Sequence, residues 1–278
     1  MRRSMWNSVC RVYIVAVLLV VALLGGADPA NAQYKPPAPA VIGEDYHVEA
    51  TYGWWNAEPS LLINSEALGI IGSDIDLTTD LGIEQKQIGV FDVALRPAKK
   101  HRFRFGYLPI SYSADTVVRR TFVFNGQQYN IGLPVQTTAD FKTYRFGYEY
   151  DFAYFKRGFA GVLVDLKYTN VDVRLLSPIG LEYTSAVAPI PTIGFVGRAY
   201  VAQRVAVGGE ISFFRVPSKL SDRYDARYTD IDLYTTVNIN KHVGAQTGYR
   251  SINAHYDLDS DNGTLKFKGL YLNGVVRF

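Results

Sequence analysis

From Asp45 onward apolar side chains recur at every second position, in blocks of about 9 to 13 residues. A period of two marks extended strands with two unlike faces. In the first block Tyr46, Val48, Ala50, Tyr52 and Trp54 share one face, and His47, Glu49, Thr51 and Gly53 share the other. In the fourth, Tyr144, Phe146, Tyr148, Tyr150 and Phe152 alternate with Thr143, Arg145, Gly147, Glu149 and Asp151. The stretches 160–168 and 231–239 repeat the theme, and the last block sets Leu270, Leu272, Gly274, Val276 and Phe278 against Tyr271, Asn273, Val275 and Arg277. Weaker blocks cover 86–97, 102–113, 189–201, 205–217 and 243–256. Pro109, Pro189 and Pro191 fall in or beside them and predict a bulge or an uncertain phase, since proline has no N–H to give to a ladder.

Ten strands follow from these blocks, with eight and twelve left open, and each block is long enough to cross a bilayer as a tilted strand. A face of five aromatics opposite a face of charges and glycine suits lipid outside and polar groups inside. The connections alternate in length. Short ones fall at 97–101, 154–157, 202–204 and 240–242, and long ones at 57–85, 114–139, 170–188, 218–226 and 257–263. The predicted fold is therefore all-β: a transmembrane antiparallel up-and-down barrel with short periplasmic turns, long extracellular loops and both barrel termini on the periplasmic side. Within the second long loop, Asn125-Gly126 separates Val117–Phe124 from Tyr129–Val135, which predicts a tight hairpin prolonging strands three and four as a projecting ribbon. The first long loop, rich in small and acidic residues, is read as the least constrained.

The N-terminus adds the compartment. Three arginines within Met1–Arg11, an apolar run from Val12 to Leu24 and the small residues Ala30 and Ala32 form a secretory signal, with cleavage after Ala32. A run of 13 residues spans only ~20 Å as a helix, short of the ~30 Å hydrocarbon core, which argues against a membrane anchor. Cys10 precedes that run, so it is no lipidation site. Residues 33–44, with three prolines, read as an extended, unpaired periplasmic linker, leaving 45–278 for the barrel. Removing the leader lowers the count of basic and acidic residues from 29 and 26 to 26 and 25, which leaves no basic excess for nucleic acid. The 20 Tyr and 15 Phe argue against disorder.

With the signal, the alternating blocks and the terminal Phe278 in hand, the chain resembles the small monomeric β-barrel proteins of bacterial outer membranes, over its whole mature length. The resemblance implies that Leu270, Leu272, Val276 and Phe278 form the C-terminal signal read by the outer-membrane assembly machinery. Val276 stands where an aromatic is commoner, and Gly274 where a larger apolar residue is. It implies an outer-membrane location and contact with membrane lipid and lipopolysaccharide, but no reaction, because many functions share such barrels.

The inward faces carry Glu49, Asp92, Arg104, Arg145, Glu149, Asp165, Lys167, Arg198, Glu210, Arg250 and Arg277. In a narrow barrel these charges must pair across the lumen, since an unpaired buried charge costs several kcal/mol. The expectation is a lumen closed by paired charges and a structural or surface-interaction role; the alternative is a narrow pore for ions or small solutes. A second alternative is an outer-rim hydrolase. Outer-membrane proteases of the omptin type set an acid pair opposite an Asp/His pair at the rim, and Asp74 and Asp76 with His255 and Asp257 match by residue type alone. No complete catalytic constellation is present. None of His47, His101, His242 and His255 has a Ser two residues on, which tells against an acyl-modifying site. Asp257, Asp259 and Asp261 are a loose echo of a calcium loop, but Asn262 and Lys268 occupy the positions where an EF-hand needs glycine and an acid. No metal or cofactor is expected.

Overall fold

The computed structural model describes residues 40–65, 73–216, 224–258 and 261–278. The proposed leader, residues 33–39 of the linker and Asp259 lie outside the described residues. The described residues form thirteen strands: β1 (Val48–Ser65), β2 (Ile75–Asp76), β3 (Lys86–Ala98), β4 (His101–Val117), β5 (Phe122–Phe124), β6 (Gln127–Tyr129), β7 (Pro134–Phe155), β8 (Gly158–Ser177), β9 (Gly180–Tyr200), β10 (Val205–Arg215), β11 (Tyr224–Asn238), β12 (Val243–Leu258) and β13 (Asp261–Arg277). Ten of them form an antiparallel meander, β1-β3-β4-β7-β8-β9-β10-β11-β12-β13, with every neighbour adjacent in sequence. β13 pairs back onto β1 from Glu49↔Arg277 to Ser65↔Asp261, which closes the sheet into a barrel. Closure removes the edges that an open sheet would present to lipid.

The alternation holds where it was strongest. Trp54, Phe146, Val164, Phe195, Leu233 and Leu272 all point out of the barrel and are more than half exposed, while their sequence neighbours face the lumen. Tyr46 departs from the predicted outer face. It precedes β1, where the chain crosses the barrel mouth, and it is buried with the guanidinium groups of Arg96, Arg102 and Arg277 5.4–6.0 Å from its ring. The end of the proposed linker is hydrogen-bonded rather than unpaired: Ile42 donates to the Gln203 carbonyl and its own carbonyl accepts from Asn238.

At one end the strands join through short turns at 99–100, 156–157, 201–204 and 239–242. The other end is not uniformly looped. β8 and β9 continue as a two-stranded ladder up to Ser177↔Gly180, so the expected loop at 170–188 is a hairpin closed by Pro178 and Ile179. The 22 residues of β7 span about 55 Å along the barrel axis at a tilt near 40°, against the band of about 25 Å that faces lipid in membrane barrels generally. The strands thus rise well beyond the band.

Proline marks where ladders stop. Val48 exchanges hydrogen bonds with Phe278, so the odd-numbered residues of β1 turn their backbone groups toward β3. The β1–β3 ladder ends at Ala57↔Lys86, and the next odd residue is Pro59. The β3–β4 ladder ends at Phe91↔Tyr107, and the next position of β4 facing that side is Pro109. The β9–β10 ladder ends at Ile193↔Phe213, immediately beyond which stands Pro191. No bulge accompanies Pro189 and Pro191 in the β8–β9 register; the shifts lie at Leu95/Ala98 and Tyr150/Ala153 instead. Each proline is accommodated because its missing donor faces a strand that has already ended.

The region above β3 is filled from within. The Asn125-Gly126 turn has both residues at positive φ, 49° and 77°, which suits the two-residue hairpin joining β5 and β6. This hairpin does not prolong β4 and β7, whose ladder stops at Val117↔Pro134. It folds inward, burying Phe122, Phe124 and Tyr129 against Leu77, Leu81 and Ile83 of the first loop. The stretch 73–85 is therefore not loosely constrained: its apolar residues alternate with its acids and pack into the barrel, and Asp80 binds Arg120 at 2.6 Å.

Candidate functional site

The lumen has two storeys, because the inward face of each long strand changes character along its length. On β4 the inward positions run Arg102, Arg104, Gly106 and then Leu108, Ile110, Tyr112; on β8 they run Asp165, Lys167 and then Val173, Leu175. The storey beside the short turns is ionic. The one beneath the inner hairpin is an apolar core in which Phe267 stacks on Tyr112 and meets Phe141 edge-on, and it was not foreseen from the sequence.

Glu49 sits between two guanidinium groups. Arg198 reaches both its oxygens at 2.9 and 3.1 Å, and Arg277 donates to it at 2.5 Å while its other arm reaches Asn238 at 2.6 Å. A second chain of charges crosses the lumen. Arg102 pairs with Glu149, with Asp151 at 3.2 Å and with Glu44 at 3.4 Å. Glu149 pairs on with Arg104 at 2.6 Å, Arg104 with Glu210, Glu210 with Arg145, and Arg145 with Asp165 at 2.8 Å. A third set joins Lys167 to Ser212 at 2.6 Å and to Asp230 at 3.1 Å, with Arg250 holding the other side of Asp230 at 2.8 Å.

Of the eleven lumen residues named from the sequence, ten sit in these three sets. Asp92 is the exception: it lines the central cavity and its carboxylate packs against Gly106. Arg102, Asp151 and Asp230 complete the networks but were not among the eleven, although Arg102 and Asp151 share the parity of Arg104 and Glu149 on their strands and Asp230 alternates with Ile231; Asp232, of the same parity, accepts from the Tyr271 hydroxyl at 2.9 Å. Glu44 and Arg96 carried no such signal, since they lie at the barrel mouth where the alternation lapses. Small residues make room for the charges. A Cβ on Gly147 would lie 2.0 Å from an Asp165 oxygen, and one on Gly208 would lie 2.5 Å from the Tyr234 ring. Between the charges remains a cavity of ≈ 90 Å³ lined by Asp92, Arg104, Arg145, Glu210, Asp232 and Arg250. That volume has room for a few water molecules.

The rim residues considered for hydrolysis do not converge. Asp76 is on β2, which pairs with one side of β1, whereas His255 is on β12, reached from the other side of β1 through β13. Three strand spacings separate them, about 14 Å. The Asp76 carboxylate is engaged in a turn, accepting from the Thr78 N–H at 2.9 Å, the Thr78 hydroxyl at 2.5 Å and the Thr79 N–H at 3.3 Å. Partial burial opposes its ionisation, but these hydrogen bonds outweigh it and hold the carboxyl below its ordinary range. Asp74 accepts from Asn64, and His255 pairs with the Thr264 hydroxyl at 3.0 Å. No cluster of three or more potential metal ligands occurs among the described residues. His101 bonds the Tyr148 hydroxyl and His242 contacts the Arg277 carbonyl, both roles at the turn end of the barrel.

At the C-terminus Leu270, Leu272 and Val276 lie on the outer face of β13. Phe278 is exposed in its side chain while its backbone exchanges hydrogen bonds with Val48.

The architecture, a closed antiparallel up-and-down barrel, is similar to that of solved outer-membrane β-barrels. The outer-membrane protease OmpT of Escherichia coli superposes with a TM-score of 0.54 at 8% identity, covering 83% of this chain and 96% of that one. The toluene transporter TodX of P. putida (TM-score 0.36, 8% identity, 84% and 90% covered) and the attachment invasion locus protein Ail of Yersinia pestis (0.32, 7%, 81% and 97%) are more distant. At such identities the protease likeness speaks for the fold alone. No protein family matches the chain, and no curated protein matches its sequence.

Proposed function

We propose that this chain is an integral barrel of the Gram-negative outer membrane with a closed lumen, serving a structural or surface-interaction role. The observation that carries the reading is the division of side chains across one wall: aromatic and branched residues outside at Trp54, Phe146 and Phe195, and paired charges inside at Glu49, Glu149 and Asp230. An aromatic, apolar outer band matches the lipid zone of such barrels. The ionic storey, the apolar core above it and the inner hairpin each obstruct the axis, which favours closure over a pore. The role is non-enzymatic in this reading, supported by the separation of Asp76 from His255.

Export with cleavage after Ala32, recognition of Leu270, Leu272, Val276 and Phe278 by the assembly machinery, a monomeric state and contact with lipopolysaccharide belong to the same proposal. Planar-bilayer recording tests the closed lumen. The purified mature protein is expected to leave the membrane silent at all voltages, and discrete conductance steps would instead establish the pore. Heat-modifiable migration on gels after detergent extraction tests the membrane barrel itself: the unboiled protein is expected to run as a compact species.

A further inference from the structure

The barrel sorts its exposed charges by end. Each of the four short turns carries an exposed cation: Lys99 and Lys100 between β3 and β4, Lys156 and Arg157 between β7 and β8, Arg204 between β9 and β10, and Lys241 between β11 and β12. None of these turns contains an acid. Among the described residues, the ion pairs at this end are buried ones made by Arg96 and Arg102, and they use none of the six cations. The exposed acid here is Asp45, two residues before the His47 that bonds Phe278 at the β13–β1 seam. Residues 33–39 bring Lys35 and no acid, so the linker cannot neutralise the turns. Glu66, Asp222 and Asp259 are joined in sequence to strand ends on the opposite side of the barrel. That opposite end mixes its signs: Arg120 pairs with Asp80, and Arg227 with Asp225.

Neighbouring turns stand two strands apart, about 10 Å, so the fields of adjacent cations overlap at ordinary salt. The cations surround the mouth rather than gather on one side of it. Each also stands close to an outward apolar side chain: Phe155 precedes Lys156, Val201 precedes Arg204, Ile239 precedes Lys241, and Leu95 and Phe103 flank Lys99 and Lys100. The outward apolar band therefore runs up to the turns and stops where the charges begin. On such a rim a long basic side chain lays its methylene stem on apolar surface and holds its charge at the depth of lipid headgroups. A soluble acidic partner would meet the ring from the axis and leave the apolar rim against water. Lipids around the barrel meet both the rim and the charges.

We infer that the turn end of the barrel is a collar for phospholipids of net negative charge, whose phosphates gather beside Lys99, Lys100, Lys156, Arg157, Arg204 and Lys241 in the leaflet at that end. The inference rests on the outer-membrane reading, and it adds a preferred lipid class for the periplasmic leaflet.

Electron spin resonance with spin-labelled lipids tests the collar. The mature barrel is reconstituted in phosphatidylcholine vesicles at low salt, and the fraction of label held at the protein surface is compared for phosphatidylglycerol and phosphatidylcholine of the same acyl chains. A cation beside an anionic headgroup favours association about 5-fold, so the preference averaged over one leaflet with the collar and one without is expected to be about 3-fold. It should fall toward parity in about 1 M salt, where screening acts within ~3 Å. A turn set of Lys99→Gln, Lys100→Gln, Lys156→Gln, Arg157→Gln and Lys241→Gln should bring it toward parity at low salt as well. Arg204 stays in that variant because its guanidinium also bonds the Ile239 carbonyl. The barrel should remain heat-modifiable, since Lys99, Lys100 and Arg157 serve these turns through their main-chain carbonyls. A loop set of Lys142→Gln, Arg174→Gln and Lys266→Gln removes exposed cations from the other end and should leave the preference near 3-fold. Parity in the unaltered barrel overturns the proposal, and so does a preference lost with the loop set and kept with the turn set. Binding of poly-glutamate that the turn set abolishes, without any lipid preference, would assign the ring to an acidic protein and overturn it too. Failure of the membrane reading shows separately, as no held fraction for either lipid.

Discussion

Glu49 shows how one residue holds the ionic storey together. Its carboxylate is buried between Arg198 and Arg277, contributed by β9 and β13 from distant parts of the chain. Replacing a buried partner leaves the others uncompensated, at a cost of about 3–5 kcal/mol. Glu49→Gln is therefore expected to lower the unfolding free energy in urea by about that amount, and an unchanged midpoint would mean that water reaches these charges. The outer face makes the opposite demand. Phe146→Arg or Val164→Arg should cost about 2–4 kcal/mol in a folding titration into lipid, whereas Arg at the lumen-facing Thr143 should be milder. Equal tolerance on both faces would contradict the assignment of inside and outside.

The element that departs most from the sequence reading is the inner cap, built from 73–85 and the β5–β6 hairpin, and its chemistry gives it a pH window. Asp76 has a lowered carboxyl pKa, so its contribution is complete above the ordinary carboxylate range near 4 and is lost as the pH falls through the lower folded value. Tyr129 is shifted the other way. Burial, assisted by the charge of Glu182, pushes its phenol up to about 12, so its contribution is intact below the ordinary value near 10 and fades as the pH climbs toward 12. Proteolytic cleavage within 118–133 is thus expected to rise below about pH 4 and above about pH 10. Cleavage independent of pH would show that neither group anchors the cap. The Asn125-Gly126 turn was legible because its backbone geometry is local. Its inward fold was not, because Phe122, Phe124 and Tyr129 have partners in 73–85, far away in sequence. In the same way Pro59, Pro109 and Pro191 announce an interruption, but the neighbouring strand that ends there is visible only once the sheet is assembled.

On the scale of the whole molecule, the ten barrel strands, their order and the outward apolar stripe were legible because a period of two survives any detail of packing. The two-storey lumen was not. Leu108, Ile110 and Tyr112 extend the same inward parity as Arg102 and Arg104, and only the height at which each lies decides whether it meets a charge or a ring. The hairpin of β8 and β9 was read as a loop for a similar reason, since Asn170, Asp172 and Arg174 make its outer face polar once it leaves the lipid band. The division between inside and outside is the claim on which the proposed compartment and closure both depend.

Two adjacent residues put that division to its most direct test. Trp54 and Trp55 are the only tryptophans left once the leader carrying Trp6 is removed. Trp54 points outward and is half exposed, whereas Trp55 is buried in the lumen with its indole N–H on the Gly269 carbonyl at 3.1 Å. With Trp55→Phe and Trp54→Phe variants of the mature protein reconstituted into vesicles of brominated phospholipid, the fluorescence of Trp54 should be strongly quenched and that of Trp55 nearly unaffected. Equal quenching of the two, or quenching of Trp55 alone, would contradict the account.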